Sequence, residues 1–427
     1  MDAVKFYGNL IKNNIDKNNP SKSLNLIKTG LKFTSEKLKL SPVKAYPPSL
    51  QYLDKLCVDL LYDPIRYPEN SCWVNLFAPS EIIHAFGIYP LFIEAFSSFL
   101  TGFKCEDFFI DKAEECGISN TLCSYHRGFL GAGSKNMLPK PRFAVTSSIA
   151  CDGNINTFRY LSAKYDVPCY VIDIPYNYNE ESISYVEQQL EEMIEMIEDV
   201  LGKKLDEDRL REVIQNENKT RTYMNTYLEC LTDKYFPNTL TLEMYKLFAT
   251  HVFMGRTETM KFYQMLAEDI KNYPDIEKDT NVKRIFWVHL IPFYQKTLRE
   301  YFNLSKKYQL LGIDINFDYM GYLDEKNPLE SIAKKMLLNC YNGKFERKID
   351  NVVNMVKYLN ADAVIDFHHF GCKQSSGGSA LLKEAMQKNN IPYLSIDGDG
   401  VDRRGTQDGQ IRTRLEAFFE MINNGGN

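Results

Sequence analysis

The chain has 427 residues, ten cysteines and a formal net charge of −5 at pH 7. This length favours two or more domains, and the mildly acidic balance gives no reason to expect nucleic acid or an anionic membrane as a partner. The sequence has no apolar run long enough to span a bilayer and begins without an apolar signal core. We therefore expect a cytoplasmic protein that engages neither nucleic acid nor membrane.

The cysteines are more numerous than packing requires. A reducing cytoplasm keeps them out of a disulfide framework, which favours metal binding or catalysis for some of them. No Cys-x-x-Cys pair occurs, and this argues against a zinc ribbon, a thioredoxin-type pair and a bacterial ferredoxin run. Any metal site must therefore be assembled from loops that are distant in sequence.

Residues 1–60 are rich in Lys and Asn with helical apolar spacing, which predicts an N-terminal helical arm without chemistry. Residues 61–200 are predicted to form a first α/β domain. In it Pro79 and Ser80 open a short helix that Gly87 ends, followed by a strand at 89–93. Glu81 and His84 share one face of that helix; the alternative to a chemical role is a solvated Glu and a hydrogen-bonded His.

Residues 104–133 are predicted to be loop-like, with Cys123 at a helix start. Buried strands at 143–150 and 169–174 with a helix between them indicate a parallel sheet. Helical spacing at 183–201, 205–231 and 241–271 predicts a helical connector over 201–280. A second α/β domain at 281–427 follows, with strands predicted at 285–290, 313–317, 363–365 and 391–396.

Three cysteines lie where a strand ends or a helix begins, namely Cys123, Cys151 and Cys372, and each has a small residue nearby. Three thiolates can hold three irons of a [4Fe–4S] cluster and leave the fourth iron open. The spacing alone favours structural thiols over a cluster, and it leaves a single catalytic cysteine open as well. The sequence lacks a Gly-x-Ser-x-Gly elbow, a Gly-x-Gly-x-x-Gly fingerprint and a Walker loop, which argues against a serine hydrolase, a nicotinamide dehydrogenase and a P-loop NTPase.

Five segments in order resemble the motifs of one family, over about residues 70–423. The segment 79–87 is similar to Pro-x-Glu-x-x-x-Ala-x-Gly, and those at 123–127, 151–153 and 371–375 are similar to three cluster-ligand motifs. The last motif covers 399–403 and 409–418. The family is that of the 2-hydroxyacyl-CoA dehydratase subunits, which includes the class I benzoyl-CoA reductase subunits.

The resemblance implies two α/β domains of flavodoxin-like or Rossmann-like topology with a [4Fe–4S] cluster between them, held by Cys123, Cys151 and Cys372. It also implies a second, related subunit and a separate ATP-hydrolysing iron–sulfur activator that delivers single electrons. The expected reaction removes water from a 2-hydroxyacyl-CoA through a ketyl radical and yields a 2-enoyl-CoA. Glu81, or His84 beside it, would transfer protons in that reaction.

The resemblance leaves three alternatives. One is a benzoyl-CoA-reductase-type subunit. Another is a reductase with a double-cubane cluster, for which the chain has further thiols at Cys72, Cys105, Cys116 and Cys340. The third is a non-catalytic electron-relay subunit whose cluster never contacts substrate.

Overall fold

The computed structural model describes residues 2–276 and 282–424, and two four-stranded parallel sheets organise it. The first sheet has the order β2-β1-β3-β4, and its strands are β1 (Ser71–Val74), β2 (Tyr89–Phe92), β3 (Phe143–Ser147) and β4 (Cys169–Ile172). The second has the order β6-β5-β7-β8, and its strands are β5 (Lys283–Val288), β6 (Tyr308–Ile313), β7 (Ala363–His369) and β8 (Tyr393–Gly398). Two parallel-sheet domains were predicted, and this prediction is confirmed.

Both sheets share one topology, in which the first strand lies between the second and the third. This is the flavodoxin-like order, and it places a topological switch point between β1 and β3 and another between β5 and β7. The four strands at the switch points are buried almost throughout, as expected for a parallel sheet covered on both faces. Trp73 and Trp287 are fully buried within them.

Helices cover the sheets and fill the space between the domains. The N-terminal helices are α1 (Ala3–Asp16), α2 (Pro20–Leu40) and α3 (Pro48–Arg66). The first sheet is accompanied by α4 (Ser80–Ala85), α5 (Ile93–Gly102), α6 (Glu106–Glu115), α7 (Ser124–Ser134), α8 (Asp152–Tyr165) and α9 (Glu180–Leu201). Next come α10 (Glu207–Leu231), α11 (Leu240–Thr250) and α12 (Thr257–Asp269). The second sheet is accompanied by α13 (Lys296–Phe302), α14 (Pro328–Leu338), α15 (Phe345–Tyr358), α16 (Lys373–Ser376), α17 (Ser379–Lys388) and α18 (Asp408–Asn423).

The N-terminal helices are helical as predicted, but they differ in burial. Helices α1 and α2 each bury only three or four residues. Helix α3 contributes Leu50, Leu53 and Leu56 to the large core cluster that also contains residues of both sheets. The exact limits of the domains stay a prediction. No helix in the described residues is both long enough and apolar enough to cross a bilayer.

Two local predictions were wrong. The stretch 104–133 is not loop-like, because α6 occupies Glu106–Glu115, whereas the helix start predicted at Cys123 is confirmed by α7. Phe109 and Phe129 from these helices are fully buried. In the segment 313–317, Asp314–Phe317 is a 3₁₀ turn, and the strand precedes it as β6, which ends at Ile313. The segment's alternation of apolar and polar residues resembles a strand, but Asp314 is buried and binds the backbone N–H of His289 and the hydroxyl of Tyr341. These side-chain hydrogen bonds favour a turn instead.

Candidate functional site

The three predicted cysteines line one cavity of about 110 Å³. Each occupies the N-cap position of a helix: Cys123 precedes α7, Cys151 precedes α8 and Cys372 precedes α16. Cys151 follows β3 and Cys372 follows β7, so each domain places one thiol at its own switch point. This is the sheet edge at which ligands bind in open α/β folds. The structure therefore brings the three thiols together at the meeting point of both domains.

The loops that carry the thiols approach each other closely because of a glycine. Gly371 has φ +78°, and a Cβ atom there would lie 2.6 Å from the backbone nitrogen of Cys123. Only glycine satisfies both the left-handed conformation and the lack of space. Two other residues that line the cavity, Ala150 and His289, have positive φ despite their side chains. Such backbone conformations cost free energy and are concentrated at functional sites.

The loop after β8 in the second domain forms hydrogen bonds to the first domain close to Cys123. The hydroxyl of Ser124 donates to the Asp399 carboxylate. The guanidinium of Arg403 donates to Glu106 Oε1 at 2.8 Å and to the carbonyl of Thr101 at 2.8 Å. Because Asp399 and Arg403 belong to the last of the five sequence motifs, we infer that this motif holds α7 and its N-cap thiol against the second domain.

Each of the three thiols faces one histidine. The pairs are Cys123 with His369 at 3.1 Å, Cys151 with His126 at 3.4 Å and Cys372 with His289 at 3.6 Å, measured from Sγ to Nε2. The histidines come from both domains: His126 lies in the first turn of α7, His289 directly follows β5 and His369 ends β7. Which atom of each pair donates depends on the tautomer of the imidazole, and for His126 the Nδ1–H faces Thr157 Oγ1, which itself donates to the Gly153 carbonyl. The neutral His126 ring therefore presents an unprotonated Nε2 to the Cys151 thiol.

The tautomer of His369 follows from its second contact. The backbone N–H of Gly400 donates to His369 Nδ1 at 2.9 Å, so Nδ1 is an acceptor without a proton. Burial lowers the pKa of His369, and the neutral ring then carries its proton on Nε2. His369 of the second domain therefore donates to the Cys123 sulfur of the first domain.

The protein alone disfavours ionisation of the Cys123 and Cys151 thiols. Burial, then the neighbouring sulfurs of Cys372 and Cys151, raise the pKa of Cys123 well above its usual value. Burial also raises the pKa of Cys151 to about 12, against hydrogen bonds from the backbone N–H groups of Asn154 and Gly153. A bound metal group would reverse the balance, because a nearby cation deprotonates a coordinating thiol. Backbone N–H donors to sulfur suit an iron–sulfur centre in particular.

A [4Fe–4S] cluster is held by separate thiolates, and the donor set is compatible with that arrangement. Among the residues that the structure describes, no three His, Cys, Asp or Glu side chains converge on one point where a metal ion could sit. A cubane does not need such convergence, because each thiolate binds a different iron. The cavity with its three thiols, backbone donors and imidazoles fits a [4Fe–4S] group.

The cavity also collects polar atoms that have no hydrogen-bond partner. Eleven buried side-chain atoms in the described residues lack a partner, and four of them belong to residues that line this cavity, namely Glu94 Oε2, Tyr125 Oη, Asn154 Oδ1 and His289 Nδ1. Buried polar atoms are normally paired. Their concentration beside the thiols indicates that a ligand with polar atoms completes the site.

Glu94 is the carboxyl group in this set, and it was not predicted from the sequence. It lies in the first turn of α5 directly after β2, and its Oε2 is shielded from solvent although the residue as a whole is only partly buried. Burial raises the pKa of Glu94 to about 8. The carboxyl group is therefore mostly protonated at pH 7. A lone Glu within the apolar run 91–96 is the only signal the sequence offered.

Glu81 and His84 lie outside the cavity. The Glu81 carboxylate accepts a hydrogen bond from Lys335 Nζ at 2.5 Å, and Lys335 also binds Glu217 at 3.0 Å. His84 Nε2 donates to the carbonyl of Val252 at 2.9 Å, and burial, then Arg256, lower the pKa of His84 to about 3. The roles in proton transfer that the sequence suggested for these two residues stay a prediction.

Glu81→Gln is expected to reduce stability. Glu81 of the first domain and Glu217 of α10 together neutralise Lys335 of α14 and Arg221 of α10. Both carboxylates and Arg221 are almost fully buried, and the Lys335 side chain is 20% exposed. Removing one negative charge leaves an excess positive charge in the network, which should lower the free energy of unfolding by about 3 kcal/mol. Urea denaturation of the metal-free chain measures this loss. An unchanged midpoint would show that the network does not depend on Glu81.

The four additional cysteines lie apart from the cavity. Cys72 is inside β1, Cys105 is the N-cap of α6, Cys116 is exposed at the end of α6, and Cys340 follows α14. None of them lines the cavity. Burial raises the pKa of Cys72, Cys105 and Cys340, which suits structural thiols.

Comparisons with known proteins agree with the motifs. The sequence model of a family described as 2-hydroxyglutaryl-CoA dehydratase, D-component, matches residues 75–422. The (R)-phenyllactyl-CoA dehydratase alpha subunit of Clostridium sporogenes is 23% identical over 373 residues, which cover 83% of this chain and 90% of that protein. The lactoyl-CoA dehydratase subunit alpha of Anaerotignum propionicum is 24% identical over 386 residues (83% and 91%). A benzoyl-CoA reductase subunit of Thauera aromatica is 25% identical over 344 residues (73% and 78%).

Proposed function

Because the chain belongs to the 2-hydroxyglutaryl-CoA dehydratase D-component family, we propose that it is the iron–sulfur subunit of a 2-hydroxyacyl-CoA dehydratase. The reaction is the elimination of water from a 2-hydroxyacyl-CoA to a 2-enoyl-CoA. The observation that carries the proposal is the interdomain cavity, which is lined by three cysteines outside any disulfide and by four residues that each have a buried polar atom without a hydrogen-bond partner. A catalytic dehydratase subunit needs such a cavity, because its cofactor and its substrate must meet there.

Cys123, Cys151 and Cys372 are the proposed ligands of a [4Fe–4S] cluster. When bound, this group would supply one electron at low potential and a Lewis-acidic iron, the chemistry that a ketyl mechanism requires. His369 is placed to donate a hydrogen bond to the Cys123 thiolate sulfur. Because donors to sulfur stabilise the reduced, more negative state, His369, whose tautomer is set by Gly400, should raise the reduction potential.

The substrate-directed groups are Tyr125 and Glu94. Burial, then the Cys123 sulfur, raise the pKa of the Tyr125 hydroxyl, so it stays protonated and can donate a hydrogen bond to a substrate oxygen. Glu94 is a protonated acid near neutral pH and can protonate the departing hydroxide. The Glu94 carboxylate formed in that step can then remove the C3 proton.

The proposal includes partners that the chain itself does not supply. The relatives named above as alpha subunits imply an assembly with a second subunit, and an ATP-hydrolysing activator would deliver the electron. All ten cysteines are unpaired, which fits the reducing cytoplasm that we propose as the location.

The test is anaerobic co-expression of the chain with the products of neighbouring genes, followed by iron analysis and an acyl-CoA assay. We expect about four irons per chain and dehydration of a 2-hydroxyacyl-CoA after one-electron reduction. About eight irons would indicate the double-cubane alternative. Reduction of benzoyl-CoA without any dehydration would assign the chain to the reductase branch. A four-iron protein that converts neither substrate would point to electron relay.

A further inference from the structure

The cavity beside the thiols has an apolar wall that none of the roles above uses. Helix α11 contributes Met244, Leu247 and Phe248 to it, and β2 contributes Phe92. The rings of Phe92 and Phe248 meet edge to face, with centroids 5.4 Å apart. The unpartnered polar atoms belong to residues outside α11 and β2, so the lining that these two elements contribute forms an apolar side of the cavity.

Positive charge is absent from the lining. In the part of the chain that the structure describes, no Lys or Arg lines the cavity. Lys246 belongs to α11 but turns to Glu243 at 2.9 Å. Lys335 and Arg221 line an adjoining pocket beyond Phe77, and Glu81 and Glu217 already neutralise both of them. A carboxylate that entered the apolar side would therefore lose its hydration without gaining a cationic partner.

The apolar side also has room to extend. A second cavity of about 70 Å³ shares Ser98, Met244 and Phe248 with the first and is otherwise lined mainly by apolar side chains. Phe248 therefore lines both cavities. A bulky acyl group could reach past it, whereas a single methyl group would leave most of the apolar surface without contacts.

From this division we propose that the enzyme selects a 2-hydroxyacyl-CoA whose acyl side chain is uncharged and apolar, of branched-aliphatic or aromatic type. The inference rests on the proposed function, since it places the acyl group in the cavity that holds the thiols. The thioester and hydroxyl oxygens face Tyr125 and Glu94, and the side chain contacts α11. Phe248 is then a residue that determines specificity.

The experiment compares kcat/KM of the reduced holoenzyme, in complex with its partner subunit, for four CoA thioesters. They are 2-hydroxyisocaproyl-CoA, 3-phenyllactyl-CoA, lactoyl-CoA and 2-hydroxyglutaryl-CoA. We expect the better of the two bulky apolar esters to exceed 2-hydroxyglutaryl-CoA by about 100-fold or more, with lactoyl-CoA between them. Equal or faster turnover of 2-hydroxyglutaryl-CoA would overturn the inference and leave the proposed function intact. Turnover of none of the four would overturn both.

Substitutions of Phe248 test whether the apolar wall determines the preference for a bulky acyl group. Phe248→Ala joins the two spaces and should change the kcat/KM ratio of 3-phenyllactyl-CoA to lactoyl-CoA by about 10-fold in favour of the larger ester. Phe248→Leu, which preserves more of the packing, should move the ratio in the same direction by less. Phe262→Leu is the control, because Phe262 is a buried core residue outside the cavity. Ratios that stay constant in both Phe248 variants would overturn the assignment of the wall to the acyl group.

Discussion

Replacing Cys372 with alanine is expected to abolish assembly of an intact cluster. The same result is expected for Cys123→Ala and Cys151→Ala, because each thiol comes from a separate helix N-cap and no other cysteine lines the cavity. Iron content after anaerobic reconstitution should fall from about four per chain to a small fraction of that value in each variant. Electron paramagnetic resonance of the reduced protein should lose the cubane signal in parallel.

The control for these variants is Cys105→Ala. Cys105 is also buried and also an N-cap residue, at the start of α6, but it lies outside the cavity and its thiol donates to the carbonyl of Leu100. The variant should keep full iron content, which separates loss of a ligand from loss of a helix cap. A complete cubane in any of the three cavity variants would contradict the assignment of that cysteine.

The sequence was sufficient to place the thiols but not to show how they meet. The strand-end and helix-start positions of Cys123, Cys151 and Cys372 follow from local patterns, and the parallel topology then directs Cys151 and Cys372 to equivalent edges of their sheets. The contact between the edges depends on pairs that are remote in sequence, such as Gly371 against Cys123 and Arg403 against Glu106. Local patterns in one sequence do not predict contacts between residues that are so far apart along the chain.

A comparison of two glutamates shows most clearly what the sequence alone cannot predict. Glu81 and Glu94 both lie in the first turn of a helix, and locally they look alike. Glu81 is paired with Lys335, 254 residues away in sequence, whereas Glu94 Oε2 has no partner and lies at the thiol cavity. The chemical difference between them comes from tertiary neighbours, so the sequence motif drew attention to Glu81 and passed over Glu94.

Glu94→Gln should lower turnover by about 10²-fold to 10⁴-fold while iron content and cluster spectra stay unchanged. Glutamine has nearly the same shape and can still form hydrogen bonds, but it cannot release a proton. Turnover of the natural enzyme should decline as pH rises through about 8, because the Glu94 acid ionises there. The variant should lose this alkaline decline. A wild-type rate with the same pH profile would make Glu94 a structural residue.

Asp54→Asn is the matched control for Glu94→Gln. Burial raises the pKa of Asp54 to about 6, but this residue lies on α3 outside the cavity, so its neutralisation should leave turnover unchanged. The reaction expels hydroxide from C2, which accepts a proton, and it removes a proton from C3. Glu94 can serve both steps, since the acid that protonates the hydroxide becomes the base that receives the C3 proton. Its protonation state is then restored without exchange with solvent, which suits a carboxyl oxygen shielded from water.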